Sequence, residues 1–184
     1  KEDNLRKWGD LGLDGTWRDA PIRLHGHSMR SPEAVTFNDL ALKGSDKWNE
    51  KTRTYGPYTD AAGVQRTADG QIADAVAADP YAIGYVLDLP ERGDVKVLGL
   101  APADGGQAIR PDVRSVRAHS YPLYRSVHMQ MNMAGNGHVD PLAEEFARFV
   151  LSRQGQAQVA KDGKYLPLTE SVLSGELEKV GGGK

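Results

Sequence analysis

The chain has 184 residues, a formal net charge of −2, 39% hydrophobic and 26% charged residues, and no cysteine. That length suffices for one large domain or two small ones with a buried core, and the mixed charge gives no reason to expect nucleic acid or an anionic membrane surface as a partner. The lack of thiols excludes disulfides, thiolate metal sites and a cysteine nucleophile, and no apolar run is long enough to insert into a bilayer.

The chain opens on the charged Lys1-Glu2-Asp3, without Met and without a signal peptide, which reads as a mature form or a fragment. Residues 1–19 are a lead-in rich in Gly, Asp and Trp, whose Trp8 and Trp17 are expected to cover an edge of a following sheet. Residues 22–24 then read as a strand, Gly26-His27-Ser28-Met29-Arg30 as a polar loop, and residues 31–43 as a helix. Ser31 has an N-cap side chain, Pro32 suits the first helical position, Glu33 is a first-turn acid, and Gly44 suits the exit. A strand entering a capped helix through a polar loop aims backbone N–H groups and the positive dipole end at that loop, which is anion-site geometry.

Residues 44–70 are polar, with Trp48, Tyr55 and Tyr58 as large anchors, and read as an irregular surface excursion. Helical spacing returns over residues 67–79 with Ile72 and Val76, ending before Pro80, and residues 82–87 and 95–100 read as buried strands. Asp69-Gly70 and Ala103-Asp104-Gly105-Gly106 read as turns, since no Lys-Ser or Lys-Thr follows a glycine run as in a nucleotide loop. Strict alternation over residues 123–132 predicts a strand, with Leu123, Arg125, Val127, Met129 and Met131 on one side. After a loop over residues 134–139, Asp140-Pro141 opens a helix with a Leu142, Phe146, Phe149 and Val150 stripe. Residues 152–161 form another ended by Gly163, and Thr169 opens a third with Leu173, Leu177 and Val180. The closing residues 181–184 read as a disordered tail. Strands and helices mix throughout, so the class is α/β.

Several local patterns occur in one order: Trp8-Gly9-Asp10-Leu11-Gly12 before Pro21-Ile22; Ser31 before Phe37; Asp79-Pro80-Tyr81-Ala82-Ile83-Gly84-Tyr85; Tyr121-Pro122-Leu123-Tyr124-Arg125; and Glu145-Phe146-Ala147-Arg148-Phe149 followed by Gly155-Gln156 and Gly163-Lys164-Tyr165-Leu166-Pro167-Leu168. Together they resemble the phosphate-binding proteins of bacterial ABC transporters, of the periplasmic-binding-protein type 2-like family, over nearly the whole chain but only the later part of such a protein. The resemblance implies mixed sheets flanked by helices, with residues 20–118 as the second lobe and residues 119–180 as crossover, strand and helices of an incomplete first lobe. It implies a periplasmic or extracytoplasmic protein that binds phosphate or another oxyanion and works with an ABC transporter permease. The alternative is a divergent or truncated relative that has lost the anion site and serves as an interaction or scaffold module, as a homodimer or with a complementing chain.

In the family the cleft loop carries an Arg and then a Ser-Gly-Thr at a helix N-terminus. Aligned on Phe37, this chain has His27 in place of the Arg, Ser31 in place of the Ser, and Pro32 and Glu33 in place of the Gly and Thr. Pro32 removes an N–H donor, Glu33 brings negative charge, and Arg30 is the substitute cation. The expected ligand-binding set is therefore His27, Ser28, Arg30, Ser31, Pro32 and Glu33. His25 and His27 form an H-x-H pair, but no third ligand is fixed among His119, His128, His138 or a carboxylate far along the chain, so no metal is expected. Neither Ser31 with His27 nor Ser126 with His128 has an orienting acid in sequence, so no catalytic residues, cofactor or enzymatic activity are expected. Met129, Met131 and Met133 read as core and strand-end filler.

Overall fold

The structure, a computed structural model, describes residues 5–88, 92–102, 105–132 and 139–181. It divides into two units, Lys1–Arg110 and Pro111–Lys184. The expectations for residues 1–3, for Ala103-Asp104, for the loop at residues 134–138 with His138, for Met133 and for residues 182–184 lie outside the described residues.

The first unit is built on a parallel sheet whose order is β2-β1-β5. Its elements are β1 (Arg23–His27), α1 (Pro32–Ala41), β2 (Arg53–Tyr55), β3 (Tyr58–Thr59), β4 (Gln65–Arg66), α2 (Ala68–Ala77) and β5 (Ala82–Gly84). The connection β1-α1-β2 steps to one side of β1, and β2-α2-β5 steps back across it. Right-handed crossovers in opposite directions place α1 and α2 on opposite faces of the sheet. Among the described residues Ile72 of α2 is the largest fully buried side chain, and Ala34 of α1 is 1% exposed. From α1, Phe37 stacks on Tyr85 with ring centroids 3.9 Å apart. The Tyr85 ring lies so close to β1 that a Cβ at position 26 would stand 2.6 Å from its Cε1, which only Gly26 avoids.

The lead-in does cover the sheet edge. Trp8 donates from its indole N–H to the Tyr81 carbonyl at 3.0 Å, and Trp17 meets both Trp8 and Tyr81 edge-on. Arg23 at the start of β1 pairs with Asp79 at 2.6 Å, while Asp79 accepts the Tyr81 N–H, fixing the entry to β5.

The second unit contains α3 (Val113–Arg117), α4 (Pro141–Val150), α5 (Arg153–Asp162) and α6 (Glu170–Gly181). Asp140 caps α4 by accepting the Leu142 and Ala143 N–H groups, and Ser152 caps α5 by accepting that of Gly155. Each such cap stabilises its helix by about 1 kcal/mol. At the exit of α5, Gly163 takes the left-handed conformation, φ 74°. Gln156 is buried and fastens the helices, donating to the Val150 carbonyl at 2.9 Å and accepting the Leu168 N–H at 2.8 Å.

Several expected elements differ. The first strand runs on to His27, so the loop begins at Ser28 rather than Gly26, because β1 pairs through Gly26 and His27 with Thr54 and Tyr55. That pairing also puts β2 inside the supposed irregular stretch, together with the β3-β4 hairpin, whose turn is held by Asp60 accepting the Ala62 and Val64 N–H groups. Asp69-Gly70 is the first turn of α2, capped by Thr67, not a loop turn. The strand expected over residues 82–87 stops at Gly84, and in residues 95–100 only Leu100 pairs, with Ile109. The strand expected over residues 123–132 does not form. Among the described residues none pairs with it, and alternation without a partner strand closes no ladder.

Candidate functional site at the carboxyl end of β1

In an open parallel sheet, ligands bind beyond the carboxyl ends of the strands where the connections diverge to opposite faces. Here that place is the carboxyl end of β1, from which α1 departs and beside which α2 begins. Backbone bonds set its shape. Ser28 N–H donates to the Tyr55 carbonyl at 2.7 Å and Ser31 N–H to the Ser28 carbonyl at 2.8 Å, turning the chain from strand to helix.

The first turn of α1 offers few donors. Pro32 has no N–H, the Ala34 N–H is held by Ser31 Oγ at 3.2 Å, and the Val35 N–H bonds the Ser31 carbonyl, so the first-turn donor with no intrahelical acceptor is the Glu33 N–H. Ser31 is thus the N-cap read from the sequence, and its hydroxyl is already engaged. Arg30 and Met29 are exposed, Ser28 and Glu33 are half-buried, and Pro32 is exposed. Arg30 forms no ion pair among the described residues.

His27 is placed differently from an anion-gripping arginine. Its side chain is 4% exposed, and its Nε2 lies 2.8 Å from Asp69 Oδ1 in the first turn of α2. Asp69 also accepts the Leu87 and Asp88 N–H groups at 3.3 and 3.2 Å. Burial raises its carboxyl, but the His27 imidazole and those two N–H groups outweigh it and hold the group below the usual carboxylate range. Asp69, Thr67 and Tyr85 are the members of this site that sequence reading missed. The one available signal was Thr67 followed three residues on by Gly70, the spacing at which an N-cap side chain receives an N–H.

Tyr85 completes the floor. Its ring is 5.5 Å from His27, and burial pushes its phenol up, with the nearby Glu33 charge adding to the effect. On the same strand, His25 is buried with its Nδ1 2.9 Å from the Tyr55 hydroxyl, and burial, aided by the Arg53 charge, pushes its imidazole below the usual histidine value. His25 therefore favours folding as the neutral ring. Among the described residues no three His, Asp or Glu side chains converge on a point where a metal would sit.

These two groups give the first unit a pH dependence of one sign. The His25 contribution is fully present above its ordinary value of 6.5 and is lost as pH falls toward its depressed folded value. The Asp69 contribution is present above 3.8 and is lost on further acidification. Thermal melts of the first unit are expected to weaken between pH 7 and pH 5, and the variant His25→Gln is expected to flatten that limb without altering the loss below pH 4.

No model of a protein family matches the chain. The phosphate-binding protein PstS of Pseudomonas aeruginosa is 29% identical over 178 residues, covering 97% of this chain and 51% of that protein. The chain is similar to the PstS proteins over nearly its whole length. PstS of Bacillus subtilis is 26% identical over 170 residues, covering 92% of this chain and 48% of its own length, and PstS 2 of Streptococcus agalactiae is 30% identical over 129 residues, covering 70% of this chain and 40% of its own. The chain thus spans about half the length of the PstS proteins it matches. A solved structure described as a possible phosphate binding protein from Planctomyces limnophilus superposes with a TM-score of 0.65 over 98% of this chain and 59% of that one, at 19% identity, and establishes the shared fold.

Proposed function

We propose that the chain is the later portion of an extracytoplasmic solute-binding protein that takes up phosphate or a related oxyanion with an ABC transporter permease, binding by lobe closure and without chemistry. Residues 20–118 serve as the second lobe and residues 119–180 belong to the first. The observation that carries this reading is the likeness to PstS across 97% of the chain, with the strand-loop-helix stretch at residues 22–41 inside the matched region. The ligand lies at the carboxyl end of β1, against Ser28, Arg30 and the Glu33 N–H, with Ser31 and Pro32 shaping the turn and His27 beneath it.

The grip is weak by design of the residues. The loop's cation is Arg30, which is exposed, and Glu33 sets a negative charge beside the anion. Calorimetry with phosphate, sulfate and related oxyanions is expected to give saturable heat at millimolar phosphate. Glu33→Gln is expected to tighten binding roughly fivefold, the equivalent of about 1 kcal/mol for like charges near 4 Å in water. No heat at millimolar ligand from a folded sample would refute binding by this chain. A second reading, a relative that has lost the anion site and acts as an interaction or scaffold module, is favoured by the engagement of Ser31 Oγ with Ala34 and of His27 with Asp69.

A further inference from the structure

Of the expected ligand set, His27 alone is buried, while Ser28, Ser31 and Glu33 are half-buried and Arg30 and Pro32 are exposed. It is also the last residue of β1, so the loop follows it directly. Titratable and charged groups meet it from each neighbouring element. Asp69 in the first turn of α2 lies 2.8 Å from its Nε2, the Tyr85 ring stands 5.5 Å away, and Tyr55 of β2 is its partner in register. Glu33 in the first turn of α1 is near enough for its charge to act on the Tyr85 phenol. His25, two residues back on the same face of β1, is tied to the Tyr55 hydroxyl, and Arg30 is the cation of the loop. Asp69 is held as a carboxylate by the imidazole and the Leu87 and Asp88 N–H groups. The charge beneath the loop therefore turns on a single proton. With a neutral His27 ring, Asp69 leaves one negative charge there; with an imidazolium the pair sums to zero. Such charges are felt strongly across a half-buried site, where water and salt screen them less.

We propose that the His27–Asp69 pair makes oxyanion binding at the carboxyl end of β1 proton-linked: His27 takes up a proton as the anion seats on the loop above it, so affinity rises as pH falls. The inference rests on the proposed oxyanion site and adds its regulation. Asp69 is the positioning residue, since its carboxylate orients the ring and stabilises the imidazolium. Linkage makes the effect reciprocal, for a proton that favours the anion is itself favoured by the anion. Neither neighbour competes for this role. Asp69 stays charged because its carboxyl lies below the usual range, and Tyr85 stays neutral because burial pushes its phenol up. His25 favours folding as the neutral ring and lies one turn of the pleat farther from the loop.

Sulfate is the probe, because it remains a dianion from pH 6 to pH 8.5 while phosphate itself titrates there. Calorimetry on the 184-residue chain, with circular dichroism confirming the fold at each pH, is expected to show affinity roughly tenfold higher at pH 6 than at pH 8.5. The heats should vary with the ionisation enthalpy of the buffer, as proton uptake requires. At pH 7, added sulfate should move the His27 ring nitrogen signals toward those of an imidazolium. The variant His27→Gln is expected to bind with a flat pH profile, whereas His25→Gln keeps the slope. Should His27→Gln fail to fold, the ring signals and buffer dependence of the unmodified chain decide. Saturable sulfate heat with a flat profile and unmoved His27 signals, or a slope that disappears in His25→Gln, would overturn the linkage and leave the proposed site standing. No saturable heat from sulfate or phosphate at either pH would overturn both.

Discussion

Ile72→Ala is expected to destabilise the first unit by about 3 to 4 kcal/mol. Ile72 is 1% exposed on α2, and its Cγ2 lies against the backbone of β5, where a Cβ at Gly84 would stand only 2.7 Å away. The truncation removes the side chain that seats α2 on the sheet, and sheet backbone this close to the helix has little room to collapse into the space. The cost is the lost transfer free energy plus that of a cavity, typically 2 to 5 kcal/mol for such a change. Domains of this size are stable by only about 5 to 15 kcal/mol, so the loss is a large share of the total. Denaturant melts of the variant should shift in midpoint with little change in slope. A shift equivalent to less than about 1 kcal/mol would mean that Ile72 is not the anchor described here.

Gly155→Ala is expected to damage the second unit by about 3 kcal/mol, near the upper end of what overpacking costs. A Cβ at position 155 would stand 2.2 Å from the Phe149 carbonyl oxygen and 2.7 Å from that of Val150. Both obstacles are backbone at the end of α4, so no side-chain rotation relieves them. Separation of α4 from α5 would also pull Gln156 from the Val150 carbonyl and the Leu168 N–H, exposing two buried polar partners. The measurement is amide exchange. Protection should fall across α4 and α5 while β1 and α2 keep theirs, and an unchanged pattern would contradict the close approach.

Helices announce themselves in this sequence by their punctuation. Ser31-Pro32-Glu33, Asp140-Pro141 and Ser152 name caps whose hydrogen bonds are all present, and Gly163 names an exit. The strands were harder. Arg53-Thr54-Tyr55, Tyr58-Thr59 and Gln65-Arg66 are short and polar, and what makes β2 a strand is its pairing with β1, a fact about position and not composition. Residues 123–132 show the converse, for among the described residues no strand lies beside them and the alternating pattern closes no ladder. At the site, the loop was legible and the floor was not. The Asp69 that meets His27 lies on another helix, and burial with a carboxylate partner turns a residue expected to face the ligand into part of the support beneath it.

The proposed oxyanion site of this chain is the carboxyl end of β1. Backbone amide chemical shifts during a phosphate titration of the 184-residue chain test it most directly. Saturable shifts concentrated in Ser28, Arg30, Ser31 and Glu33 are expected, with a smaller response at Asp69 through His27. Saturable shifts confined to other segments, or none at all at millimolar phosphate, would contradict it.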